Sequence, residues 1–232
     1  MKKYIIILAA MCALFACQKN EIELLDRPII EELGNGQVTY TFTAVIADDV
    51  TDAETKASVA RNGAYTWAVN DALKFFKENG ESADAKVTAI VGSTATITVT
   101  TEGTKADFVS AVYPATAGDG AYKINFNARG PIVVSAVNGG TLQFYHIGSL
   151  INLKFTSIPA ETQSLVFTPA SAFGYDGTFS FSGRVPSLTA TGSTDKIVVP
   201  ATTSDEGADI TVCVPSVSLS GFSAALNNAS GG

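Results

Sequence analysis

Histidine is nearly missing from this 232-residue chain, with His146 alone, and thiols are limited to Cys12, Cys17 and Cys213. A zinc site needs several Cys or His ligands, which the chain does not supply. A Ser–His–Asp triad is recognised by geometry rather than order. His146, flanked by Tyr145 and Ile147, nevertheless has no Gly-x-Ser-x-Gly elbow to serve, so it reads as a packed or half-exposed ring, and the chain does not read as an enzyme. The glycine-rich pieces Gly34-Asn35-Gly36, Gly118-Asp119-Gly120 and Asn138-Gly139-Gly140 precede no helix at phosphate-loop spacing, so they read as turns. No motif calls for a cofactor. Asp48, Asp49, Asp52 and Glu54 could offer oxygen ligands to calcium, but their spacing is not that of an EF-hand and they read as a solvated acidic loop; no metal is expected. Positive charge is also scarce, with 15 Lys and Arg against 22 Asp and Glu and no basic patch. Nucleic acid and anionic membrane surface are therefore excluded as partners.

What is present begins with a leader. Lys2 and Lys3 precede an apolar run from Tyr4 to Ala16. That matches the roughly 7–15 residues of a secretory core and falls short of the roughly 20 that span a bilayer. The run ends Leu14-Phe15-Ala16-Cys17, which resembles the lipobox of bacterial lipoproteins, with Phe15 a less usual residue at its place. The resemblance implies cleavage after residue 16 and acylation of Cys17 by three chains. One fatty chain anchors only marginally, and each buried CH₂ adds about 0.8 kcal/mol, so three would hold the protein close to permanently. Loss of Lys2 and Lys3 makes the formal charge of −7 more negative by two. Cys213 is then left without a disulfide partner, and in Ala208-Asp-Ile-Thr-Val-Cys-Val-Pro215 it reads as a buried structural thiol.

Residues 17–36, with their acids, Pro28 and Gly-Asn-Gly close, read as a spacer, with a short helix over Ile29–Leu33. From residue 37 on the chain reads as strands. Tyr40, Phe42, Ala44 and Ile46 alternate with Thr39, Thr41, Thr43 and Val45, the mark of a half-buried strand. Runs at 86–92 and 94–101 pair about Gly92-Ser93; others end at Pro114, at Asn138-Gly139-Gly140 and at Pro215. About a dozen short runs at roughly 8–12-residue spacing, each bounded by Gly, Pro, Asn or Asp, make the protein all-β, as antiparallel sandwiches or barrels. Single helical turns are expected over 57–63 and 145–151. A domain boundary is expected near 142, giving units of 37–141 and 142–232, with one continuous sandwich as the competitor. Trp67, the only tryptophan, has two readings: burial in the first unit, or exposure beside Tyr65 to stack on a sugar ring.

Taken in order, Thr55-Lys56-Ala57, Tyr65-Thr66-Trp67 with Asp71, Ser110-Ala111-Val112-Tyr113-Pro114, Phe144-Tyr145-His146, Leu153-Lys154-Phe155 and Val214-Pro215 resemble the fimbrillin-type surface lipoproteins of Bacteroidetes. The resemblance covers most of the chain from about residue 39. It implies two transthyretin-like antiparallel β-sandwich domains and a pilus subunit that travels to the outer membrane as a lipoprotein. It further implies cutting after a basic residue, with other subunits as partners and a host or bacterial surface ligand as a further one. Under it, Lys56 and Arg61 are the candidate cleavage positions, and the strand bearing Thr39, Tyr40, Phe42, Ala44 and Ile46 is the one released. The vacated groove would then take a neighbour's strand by β-augmentation. The chain closes on Gly221-Phe-Ser-Ala-Ala-Leu-Asn-Asn, where the family continues with further strands, so the second domain is expected to be incomplete. A surface glycan-binding lipoprotein and a structural envelope lipoprotein are the other readings.

Overall fold

The turn residues of the sequence fall where strands reverse. In the computed structural model, which describes residues 26–47, 66–102, 107–172, 174, 176–191, 196–215 and 220–228, every regular element longer than one helical turn is a strand. The leader, Cys17, Lys56, Arg61, Tyr65, the acidic loop and the helical turn expected over 57–63 lie outside the described residues.

One sheet holds β1 (Ile29–Leu33), β2 (Gln37–Ile46), β3 (Ala72–Lys77), β4 (Ser82–Val91), β5 (Thr94–Glu102), β6 (Phe108–Tyr113), β9 (Val133–Ala136) and β10 (Thr141–His146). Its order is β1-β2-β10-β9-β6-β3-β4-β5, and β2 also pairs with β5. That last pairing closes all but β1 into a barrel. The all-β class therefore holds, but the first unit is a closed barrel and not the antiparallel β-sandwich that the resemblance implies. Closure is mixed: β2 runs parallel to β10 and antiparallel to β5.

The remaining strands build a second core. β7 (Gly118–Gly120) and β8 (Lys123–Asn125) join β13 (Asp176–Ser182) and β14 (Val185–Thr191) in one sheet. β12 (Thr162–Pro169) lies between β15 (Ile197–Pro200) and β17 (Phe222–Asn228), and β11 (Ser149–Lys154) pairs with β16 (Asp209–Val214). Ile124, Phe126, Leu165, Phe167, Ile197 and Val212 are fully buried among them.

The two cores share a wall. On β3, β6 and β9, Phe75, Ala111 and Val133 face the barrel interior, while Phe76, Val112 and Val134 face the second core. Strands buried on both faces lose the alternation of apolar and polar residues. The chain also crosses between units more than once: Ala117 to Ile132 joins the second core before β9 and β10 return to the barrel. The boundary expected at 141/142 thus falls inside β10.

Two local expectations are corrected. Ile29–Leu33 is a strand, not a helix, because the Gly34-Asn35-Gly36 turn, with Gly36 at φ +83°, folds it back on Gln37–Thr41. Residues 145–151 hold no helical turn; β10 and β11 meet at Gly148, whose φ is +84° and where a Cβ would lie 2.5 Å from the Val214 carbonyl oxygen. Only glycine fits that crossing.

Candidate functional site

The strand singled out by its alternation is β2, and its alternation is what seats it. Val38, Tyr40, Phe42 and Ala44 point into the barrel and none is more than 6% exposed. Ile46, at the strand end, is half-buried. The Phe42 ring lies 5.1 Å from Phe75, and Tyr40 meets Phe108 edge-on at 5.5 Å. Phe75 and Phe108 close the cluster at 5.4 Å. Tyr40 and Phe42 thus pack into an apolar bed formed by Phe75 and Phe108 with Ile97 and Val99 from β5.

The outward face is hydroxylic. Thr39, Thr41 and Thr43 stand opposite Thr100, Thr98 and Thr96 on β5, and the Thr39 and Thr100 hydroxyls share a 3.1 Å hydrogen bond. Cross-strand threonine pairs of this kind stabilise a sheet modestly and leave the surface uncharged.

Both backbone edges of β2 are engaged. β5 pairs with Gln37 to Ala44 along one edge. The other edge is divided: β1 takes Gln37 to Thr41, and β10 takes Thr43 to Ile46. The Thr43 amide donates to Gly140 O at 2.9 Å, and the Ala47 amide donates to Phe144 O at 2.8 Å. Taking β2 away would leave the edges of β5 and β10 facing each other across a gap of one strand.

Where β1 gives way to β10 the chain is clamped. Asp26 O accepts from the Gly140 amide at 2.8 Å, and Asp26 Oδ1 accepts from the Thr141 amide at 2.9 Å. Its Oδ2 accepts from Arg184 Nη2 at 3.1 Å, tying the β13–β14 turn of the second unit to the same point. A Cβ on Gly140 would lie 2.3 Å from Arg27 O, so the close approach requires glycine.

The remaining sequence candidates divide plainly. Trp67 is 6% exposed, packed edge-on against Tyr113 at 5.7 Å and Phe144 at 5.1 Å. Its indole is core, so the sugar-stacking reading loses its chief residue. Asp71 explains the acid just beyond it: Oδ2 accepts from the Ala68 amide at 2.8 Å and Oδ1 from the Tyr113 hydroxyl at 3.4 Å. Trp67, Asp71, Tyr113 and Phe144, scattered along the chain, are therefore one structural knot. Cys213 is fully buried, as expected, and donates to Ile147 O at 3.2 Å; burial pushes its thiol pKa up to about 12.

One element of the site escapes a reading of the sequence. Pro28 and the acids around β1 suggest a spacer, yet Gly34-Asn35-Gly36 directly before an alternating run is itself a hairpin signal. No family model, curated protein or solved structure matches the chain.

Proposed function

We propose that this chain is a lipid-anchored cell-surface subunit of a fimbrium, or of a related adhesive surface structure, that assembles by release of β2 and insertion of a neighbouring subunit's strand in its place. The observation that carries the reading is the seating of β2: four consecutive inward side chains in an apolar slot, with strand edges on both sides. A vacated slot offers an incoming strand the edge of β5 along its length, the edge of β10 over the span of Thr43 to Ile46, and a row of alternate pockets, the ingredients of β-augmentation. Each hydrogen bond nets only about 1 kcal/mol, whereas burying a ring such as Phe42 is worth about 3–5 kcal/mol against Ala. The side chains therefore carry much of the binding. An incoming strand that reproduces the pairing of β2 runs antiparallel to β5 and parallel to β10.

On this reading Cys17 holds the precursor at the outer membrane, and a cut at Lys56 or Arg61, just downstream of β2, frees the strand from the barrel. The test is incubation of the acylated precursor with an Arg/Lys-specific surface protease. One discrete cut within 48–63, followed by a ladder of multimers on a denaturing gel, is the expected result. A cut with no ladder, or complete resistance, would overturn the exchange. Replacing Cys17 with Ser should abolish incorporation of labelled fatty acid.

A further inference from the structure

We infer that β1 is a docking edge for an extended strand of another molecule that carries a lysine or arginine at its centre, and that its acidic residues turn away a second copy of its own. All five residues of β1 are exposed, and Ile29, Ile30 and Leu33 are exposed by 47%, 39% and 41%. Among the described residues β1 pairs only with β2, and no described strand lies on its other edge. An exposed edge strand with apolar side chains invites another strand unless something blunts it.

Here Glu31 and Glu32 blunt it against self. Two β1 strands pairing antiparallel about a two-fold axis must set same-face residues opposite each other. The register that overlaps all five residues places Glu31 directly against Glu31. Sliding by two residues one way places Glu32 against Glu32, and sliding the other way brings Pro28, which has no amide hydrogen, into the ladder. Like charges directly opposite destabilise a pair, whereas opposite charges stabilise it. An apolar strand with a central cation therefore meets Ile29 and Leu33 with its ends and Glu31 with its charge. The inference concerns the intact chain, requires no release of β2, and stands independently of the assembly proposed above.

A charge exchange tests it without knowledge of the natural partner. Glu31 is solvent-exposed, so Glu31→Lys leaves the core untouched. Wild type alone and E31K alone are expected to sediment as monomers, since each repels its own copy. An equal mixture is expected to form a heterodimer with the introduced lysine of one chain opposite Glu31 of the other. Amide exchange at residues 29–33 should slow in the mixture, and the complex should dissociate as salt shortens the screening length from about 10 Å at 0.1 M to about 3 Å at 1 M. A mixture that stays monomeric, or that dimerises with β1 amides exchanging as in the monomers, would overturn the docking edge. Wild type pairing with itself through β1 would overturn the charge selection.

Discussion

Cys213 and Asp205 show how single side chains are fixed by their surroundings. The Cys213 thiol, on β16, has no solvent contact, and burial holds it protonated far above neutral pH. Only the thiolate is a nucleophile, so a maleimide should leave Cys213 unlabelled in the folded chain and label it fully after denaturation, read by peptide mass mapping. Labelling of the native chain would mean that the second core opens. Asp205 is the converse case. Its carboxylate accepts from the Thr202 amide at 2.9 Å and pairs with Arg129 at 2.7 Å, and these hold its pKa below the ordinary value against the opposing effect of burial. A depressed folded-state pKa gives stability that is present in full above the unfolded value of about 3.9 and is lost as pH falls through the folded value. Asp205→Ala should cost about 1.5–3 kcal/mol at pH 7, the worth of hydrogen bonds to a charged group. Its urea midpoint should also lose that component of the wild-type fall below pH 4.

Elements differ in how plainly the sequence announces them. Gly140→Val should drive Asp26–Pro28 off the β10 entrance, because even a Cβ there meets Arg27 O at 2.3 Å. Amide exchange in β1 is expected to quicken by an order of magnitude or more while Ile97 and Phe42 in the barrel stay protected, a contrast measurable by peptide-level mass spectrometry. β2, β4 and β5 are legible because one face of each is wet, and the β4–β5 reversal is marked by Gly92, which adopts φ +62°. β3 is not, since Phe75 and Phe76 are both buried, one in each core, and a run buried on both faces has no period to read. β1 misleads for the opposite reason: with both faces exposed, Ile29-Ile30-Glu31-Glu32-Leu33 carries no two-residue alternation. Of the candidate site, the inward row of β2 can be read from residue types alone. The strands on its two edges cannot, because β1, β5 and β10 come from three separate stretches and register between them leaves no local trace.

At the scale of the molecule, the shared wall of β3, β6 and β9 makes the two cores interdependent. Exposing one core strips a face from strands that line the other, and Arg184 with Asp26 adds a second tie. Thermal unfolding should therefore be one transition, with barrel and second-core probes coincident and calorimetric and van't Hoff enthalpies equal; two separated transitions would show that the wall does not couple them. In the closed barrel, the proposed assembly requires that β2 leave its place between β5 and β10. Thr41 and Thr98 stand directly opposite on β2 and β5, within the reach of a disulfide. Thr41→Cys with Thr98→Cys thus gives a reversible lock, and its effect on protease-triggered multimers is the most direct measurement. Exchange of β2 requires that the oxidised, processed protein form no ladder on a denaturing gel and that ladders return on reduction. Equal ladders from the locked and unlocked protein would contradict it, because assembly would then proceed with β2 still in its slot.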